Sequence, residues 1–167
     1  MVPVCLHASI QEHIAGVGSL RYIEMMARPA VSEVSGARGI TLREARWPIV
    51  EMHLHPHFTI ADIDATYDRL EEIAKRREPH AHWTDLTRVD PLSIPAGLRK
   101  HFAEREQRLY TLARGHLIAD VRIVDNSVVR GLLRAFEWLT GDAPWPVRTV
   151  ATAEEARAWL RTFEQLR

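Results

Sequence analysis

Apolar and polar residues alternate along "ITLREA" (40–45) and again along "IVEMHL" (49–54), the period-two pattern of half-buried strands. Only Arg46, Trp47 and Pro48 separate the two runs, so they are expected to pair as an antiparallel hairpin. The period then changes. Ile63, Tyr67, Leu70 and Ile73 recur at helical spacing behind Thr59, with Asp62 as an acidic first-turn residue, and Pro79 closes this helix. "HAHWTDL" (80–86) reads as a third strand. Ser93 and Pro95 mark the next helix start, with Leu98, Phe102, Leu109 and Leu112 as its buried stripe and Gly115 as its stop. "HLIADVRIV" (116–124) is the strongest strand pattern in the chain. A helix follows over 125–141, with Asp125, Asn126 and Ser127 as candidate caps and Val128, Leu132, Phe136 and Leu139 as its stripe. A short fifth strand near 147–150 precedes the last helix. Thr152 and Glu155 form its capping box, and Ala156, Trp159, Leu160 and Phe163 pack inward.

The order is therefore β-β-α-β-α-β-α-β-α. Strands alternating with helices imply parallel units joined by right-handed crossovers. The expected fold class is α/β: a mostly parallel five-stranded sheet, an antiparallel edge strand from the hairpin, and four helices mainly on one face. This domain spans 39–167. Residues 1–38 read as a flexible N-terminal extension, because "PAVSEVSGARG" (29–39) is rich in small and turn-forming residues.

Composition narrows the functional classes. Apolar residues make up 46% of the 167 and charged residues 26%, the balance of a soluble globular domain. Lys plus Arg equals Asp plus Glu, at 22 each, so net charge gives no reason to expect a nucleic-acid or anionic-membrane partner. No run approaches the ~20 apolar residues of a bilayer span. The first twenty residues lack the basic start of a signal peptide. Cys5 is the only cysteine, which fits a reducing, cytoplasmic setting.

The candidate chemistry lies in histidines. His53, His55 and His57 stand at alternate positions, and His80 and His82 follow in the third strand. Within its strand, each set shares a face: His53 and His55 with Glu51, and His80 and His82 with Thr84. If all four helices stack on the opposite face, these imidazoles look outward onto a solvated or partner-covered polar surface. Imidazoles from neighbouring strands could instead converge on a metal, which makes His53, His55, His80 and His82 an alternative ligand set. No His-Glu-x-x-His or Cys-x-x-Cys pattern accompanies them. Asp85, Asp90 and Asp125 sit near the expected carboxyl ends of strands, where parallel sheets place their sites.

"WTDLTRVDPLSIPAGLRKHF" (83–102) resembles the centre of STAS domains, the sulfate-transporter and anti-sigma-factor-antagonist (SpoIIAA-like) family. Asp85-Leu86-Thr87-Arg88-Val89 is similar to the end of that family's third strand, and Ser93 through Gly97-Leu98 to its loop and helix start. "NSVVRGLLRAFEWL" and "RTVATAEEARAWL" look like the third helix and the closing strand and helix of the bacterial STAS/SEC14-like branch. The resemblance covers roughly 39–165. It implies a non-enzymatic regulatory module that works by protein contact, with a serine at the position of Ser93 phosphorylated by a partner kinase. A phosphate at a helix N-terminus is favoured by free N–H groups and the helix dipole. No Asp precedes Ser93 here, and the residues alone read it as a helix cap.

Three functions follow. The first is a STAS-like interaction module acting through Asp85, Asp90, Ser93 and Gly97, with a homodimer formed through the polar sheet face. The second is a carrier of a small apolar ligand or lipid, with Phe136, Trp138 and Trp145 lining its pocket. The third is a histidine-metal enzyme. The first two need no cofactor.

Overall fold

The computed structural model describes residues 39–166. The extension at 1–38, with Cys5, lies outside them. The elements are β1 (Ile40–Arg46), β2 (Ile49–Leu54), α1 (Ile60–Lys75), β3 (His80–Asp85), α2 (Ala96–Leu112), β4 (Leu117–Ile123), α3 (Ser127–Thr140), β5 (Val147–Val150) and α4 (Ala153–Leu160). Short 3₁₀ turns occupy Pro91–Ser93 and Glu164–Leu166. The expected α/β class and order hold: one sheet of five strands, in the order β1-β2-β3-β4-β5, with β1 antiparallel to β2 and every other pair parallel.

Sequential parallel strands joined by right-handed crossovers put every connecting helix on one face. Accordingly α1, α2 and α3 share a core with β1 and β2, built from Ile40, Leu42, Val50, Met52, Ile63, Tyr67, Leu70, Leu98, Leu109 and Val129. The fourth helix follows β5 and lies on the opposite face. There Ala156 and Leu160 cover Ala81, Trp83, Ala119, Val121 and Ile123. The central strands are therefore buried on both sides.

This arrangement corrects the expected sheet faces. Val50 pairs with His82 and Met52 with Thr84, while Glu51 pairs with Trp83 and His53 with Asp85. Residues paired across neighbouring strands share a face. His82 and Thr84, with Asp120 and Arg122 opposite them on β4, thus point under the helix layer, and not out to solvent. The polar side chains of β2 point the other way. A register shift at the start of β3 and β4 also parts Leu117, which joins the helix-side core, from Ala119.

Local signals explain the element ends. Thr59 accepts from the Asp62 N–H, and the Asp62 carboxylate accepts from the Thr59 N–H, closing a capping box at α1. Thr152 and Glu155 do the same at α4, and Asn126 Oδ1 accepts from Val128 N–H at α3. Between α1 and α2, Glu71 is buried and receives Arg105 at 3.0 Å and Arg108 at 2.9 Å, fixing the two helices side by side. Gly39 stands where the chain enters β1. A Cβ there would fall 2.4 Å from the Phe58 Cβ, so only glycine permits that approach.

Candidate functional site

Under the helix layer, the polar residues of β3 and β4 meet side chains descending from α1 and α2. Arg122 donates through Nε to Asp120 Oδ2 at 2.9 Å, and its Nη2 lies 3.5 Å from Glu106 Oε1. Tyr67 donates to the other Glu106 oxygen at 2.5 Å. Glu137 of α3 sits 3.5 Å from Arg122 Nη1. Asp120, Arg122, Glu106 and Tyr67 are all nearly or wholly buried.

A buried charge is tolerable only when it is paired. Burial works against the Arg122 charge, but Asp120 and Glu106 outweigh it and hold the guanidinium charged more firmly than usual. Burial, with Asp120 nearby, raises the Glu106 carboxyl against the pull of Arg122 and Tyr67. Burial and the Glu106 charge push the Tyr67 phenol well up. His82 is enclosed beside this group, and burial, then His80 and Arg122, holds its imidazole well below the ordinary histidine range. Three polar atoms here lack a hydrogen-bonding protein partner: His82 Nε2, Asp120 Oδ1 and Arg122 Nη1.

Two recesses lead to this group. The inner one, about 40 Å³, has Thr84, His82, Glu106, Asp120 and Arg122 as its polar side. The outer one, about 80 Å³, lies between α2, α3 and the carboxyl ends of β2 and β3. Its lining is apolar apart from Arg99, which donates to the Ile94 carbonyl. Leu86, Phe102, Leu133 and Phe136 form the wall common to both. Phe102 stacks edge-on against Tyr67, Phe58 and Phe136, so these rings hold the wall in place. A third, wider and more open groove of about 570 Å³ runs beside Arg130, Arg148 and Trp159 at the β5 edge.

The residues singled out from sequence are scattered. Of the three pocket candidates, Phe136 lines both recesses, Trp138 is 87% exposed, and Trp145 is core, edge-on to Tyr110. Ser93 does not cap α2. Its hydroxyl is shared between the Pro56 and Asp90 carbonyls at 2.6 and 2.7 Å, while Pro95 holds the N-cap position without a side-chain bond. Asp90 caps the 3₁₀ turn through Leu92 N–H, and Gly97 is exposed in the first turn of α2. Asp85 accepts from both the Thr87 N–H and hydroxyl. Asp125 is exposed ahead of the Asn126 cap.

The four histidines proposed as ligands do not meet. His53 lies on the face opposite His82, with Asp85 Oδ2 at 3.4 Å and Glu51 Oε2 at 3.8 Å. His55 is bonded to the Thr41 hydroxyl at 3.0 Å. His80 is buried against Trp47 and donates to the Glu78 carbonyl, with its ring centre 5.4 Å from that of His82. Among the described residues, no three His, Cys, Asp or Glu side chains are grouped to hold a metal ion. The Arg122 cluster was not expected from sequence. Its signal was there: three charged or aromatic residues at internal positions of strong elements, Asp120 and Arg122 on β4 and Tyr67 on α1.

Compared with known proteins, the chain matches no family model, no curated protein and no solved structure. Among the described residues, no helix is long and apolar enough to cross a membrane.

Proposed function

We propose that this protein is a binding module that takes a small, mainly apolar ligand in the recess between α2 and α3. One observation carries the reading: an apolar hollow at the carboxyl ends of parallel strands that continues into a buried polar group with unpartnered atoms. Ligand sites in proteins combine apolar lining with a few convergent polar groups in this way, and open parallel sheets place them at this end. The size limits the ligand. A cavity of about 150 Å³ is enough for benzene, so the outer recess accepts a short alkyl group, or the tip of a longer one.

The test is a titration with 1-hexanol followed through methyl resonances. Saturable shifts are expected at Leu98, Leu133 and Val129, with none at Leu160 or Val150 in the opposite core. Leu133→Trp, which fills the recess, should abolish them. Shifts that never saturate, or that spread through both cores, would overturn the proposal.

A second reading is the STAS-like regulatory module with its contact loop after β3. The loop's tether favours it: a side-chain bond to the Pro56 carbonyl holds the 3₁₀ turn that carries Leu92. Ser93 is next to it, and a phosphate there would break the bond to Pro56 that ties the loop down. Phosphopeptide mapping of protein from its host tests the switch: an unmodified Ser93 under all growth conditions removes it.

A further inference from the structure

His82, Asp120 and Arg122 stand side by side at the floor of the inner recess. His82 is the cross-strand partner of Asp120, and neighbouring strands lie ~4.8 Å apart. Arg122 follows Asp120 on the same face and binds its Oδ2 through Nε at 2.9 Å. All three are more than nine-tenths buried. Each keeps one buried atom without a hydrogen-bonding protein partner: Asp120 Oδ1, Arg122 Nη1 and His82 Nε2. The nearest carboxylate oxygen to Arg122 Nη1 outside the pair is on the half-exposed Glu137, 3.5 Å away and too far for a good hydrogen bond. A buried polar atom left unpaired is costly, so three of them around one recess point to a bound group that pairs them. The recess is about 40 Å³. One water needs only ~10–15 Å³, so a head of two heavy atoms fits.

The kinds of atom select that head. Asp120 Oδ1 accepts hydrogen bonds only, and Arg122 Nη1 donates only. The neutral His82 imidazole can do either at Nε2, according to its tautomer. The occupant must therefore donate to Asp120 and accept from Arg122 through a very small group. A hydroxyl does both with one oxygen. An ether or aldehyde oxygen accepts but leaves Asp120 Oδ1 unpaired. A carboxylate does the same and adds a negative charge where Asp120 and Glu106 already offset Arg122. An ammonium leaves Arg122 Nη1 unpaired. Beyond the head, the ligand is apolar: Leu86, Phe102, Leu133 and Phe136 line both recesses, and Leu98 and Val129 continue the outer one.

We propose that the ligand is a short-chain alcohol whose hydroxyl donates to Asp120 Oδ1 and accepts from Arg122 Nη1, with its alkyl chain leading past Phe102 and Phe136 into the outer recess. This rests on the binding reading above and adds to it the chemical class of the head group. His82 Nε2 lies beside that hydroxyl and reports its arrival.

The test compares three ligands on the wild-type chain at neutral pH: 1-hexanol, its isomer methyl pentyl ether, and hexanoate. Leu133 methyl resonances follow the outer recess, and the His82 ring nitrogens follow the inner one. Hexanol should move both sets saturably, and should bind at least about tenfold tighter than the ether or hexanoate, the equivalent of one hydrogen bond to a charged group. The double variant Asp120→Leu/Arg122→Met replaces the charged pair with apolar groups, and in it the ether should bind at least as well as hexanol. Equal binding of all three by the wild type, with Leu133 shifts and a silent His82, would overturn the hydroxyl assignment and leave the apolar-ligand reading standing. Tighter binding of hexanoate would overturn it in favour of an anion. A folded double variant that keeps the wild-type preference would also overturn it. No saturable binding of any of the three would remove the ligand reading itself, and this inference with it.

Discussion

Arg122 decides whether the interior under the helices is stable. It faces Asp120, Glu106 and Glu137, and of these Asp120 and Glu106 are buried. Removing one partner of a buried ion pair leaves an uncompensated charge and costs about 3–5 kcal/mol, whereas replacing the set with apolar groups is often near neutral. Arg122→Met should therefore cost about that much in urea unfolding. Adding Asp120→Leu to Arg122→Met should recover part of the loss. A double variant worse than the single would contradict this account of the cluster. Gly39→Ala acts differently, through contact alone: its Cβ would collide with Phe58, and a loss of urea stability without change in the α1 signal is expected. Neither residue was prominent in the sequence. Alternation along β4 marked Asp120 and Arg122 as sharing a face, but nothing in a single strand says which face.

At the level of elements, the legible features were local and the illegible ones relational. The order of strands and helices, the capping boxes at Thr59 and Thr152, and the stop at Gly141, with φ of 75°, all follow from residues within one turn of each other. The phase of one strand against the next does not. A shift by one residue turns every side chain to the other face, and a choice that placed His80 and His82 with His53 put a buried pair in solvent. The same limit applies to Ser93, which reads as a cap by type but lies before Pro95, where its hydroxyl turns to Pro56. The contrast can be measured. Thr59→Ala and Thr152→Ala should each lower stability by about 1 kcal/mol in chemical denaturation. Ser93→Ala should leave α2 capping unaffected, and its cost should appear as faster amide exchange in the loop at 87–94.

For the molecule as a whole, the buried histidines set an acid limit. His80 and His82 have pKa values held down chiefly by burial. In the unfolded chain each titrates near 6.5. The native state thus binds fewer protons than the unfolded one below that pH. Their contribution is intact above about pH 6.5 and is lost as pH falls from there through the native values. Glu106, raised by burial, runs in the opposite direction, while Asp62 and Asp85, both lowered, lose their contributions only in the carboxylate range. Urea midpoints should therefore fall between pH 6.5 and 5, and His82→Leu should flatten that slope. A midpoint independent of pH across this interval in the wild type would refute the assignment of neutral buried imidazoles.

The strand order also shapes how the chain reaches this structure. Each strand of the sheet pairs with the strands just before and after it in the chain. Only the β1–β2 hairpin closes over a tight turn; each parallel pair must first close a crossover that holds a whole helix, which slows its pairing. During synthesis each new strand emerges beside a partner already made, so the sheet can lengthen one repeat at a time from the ribosome outward.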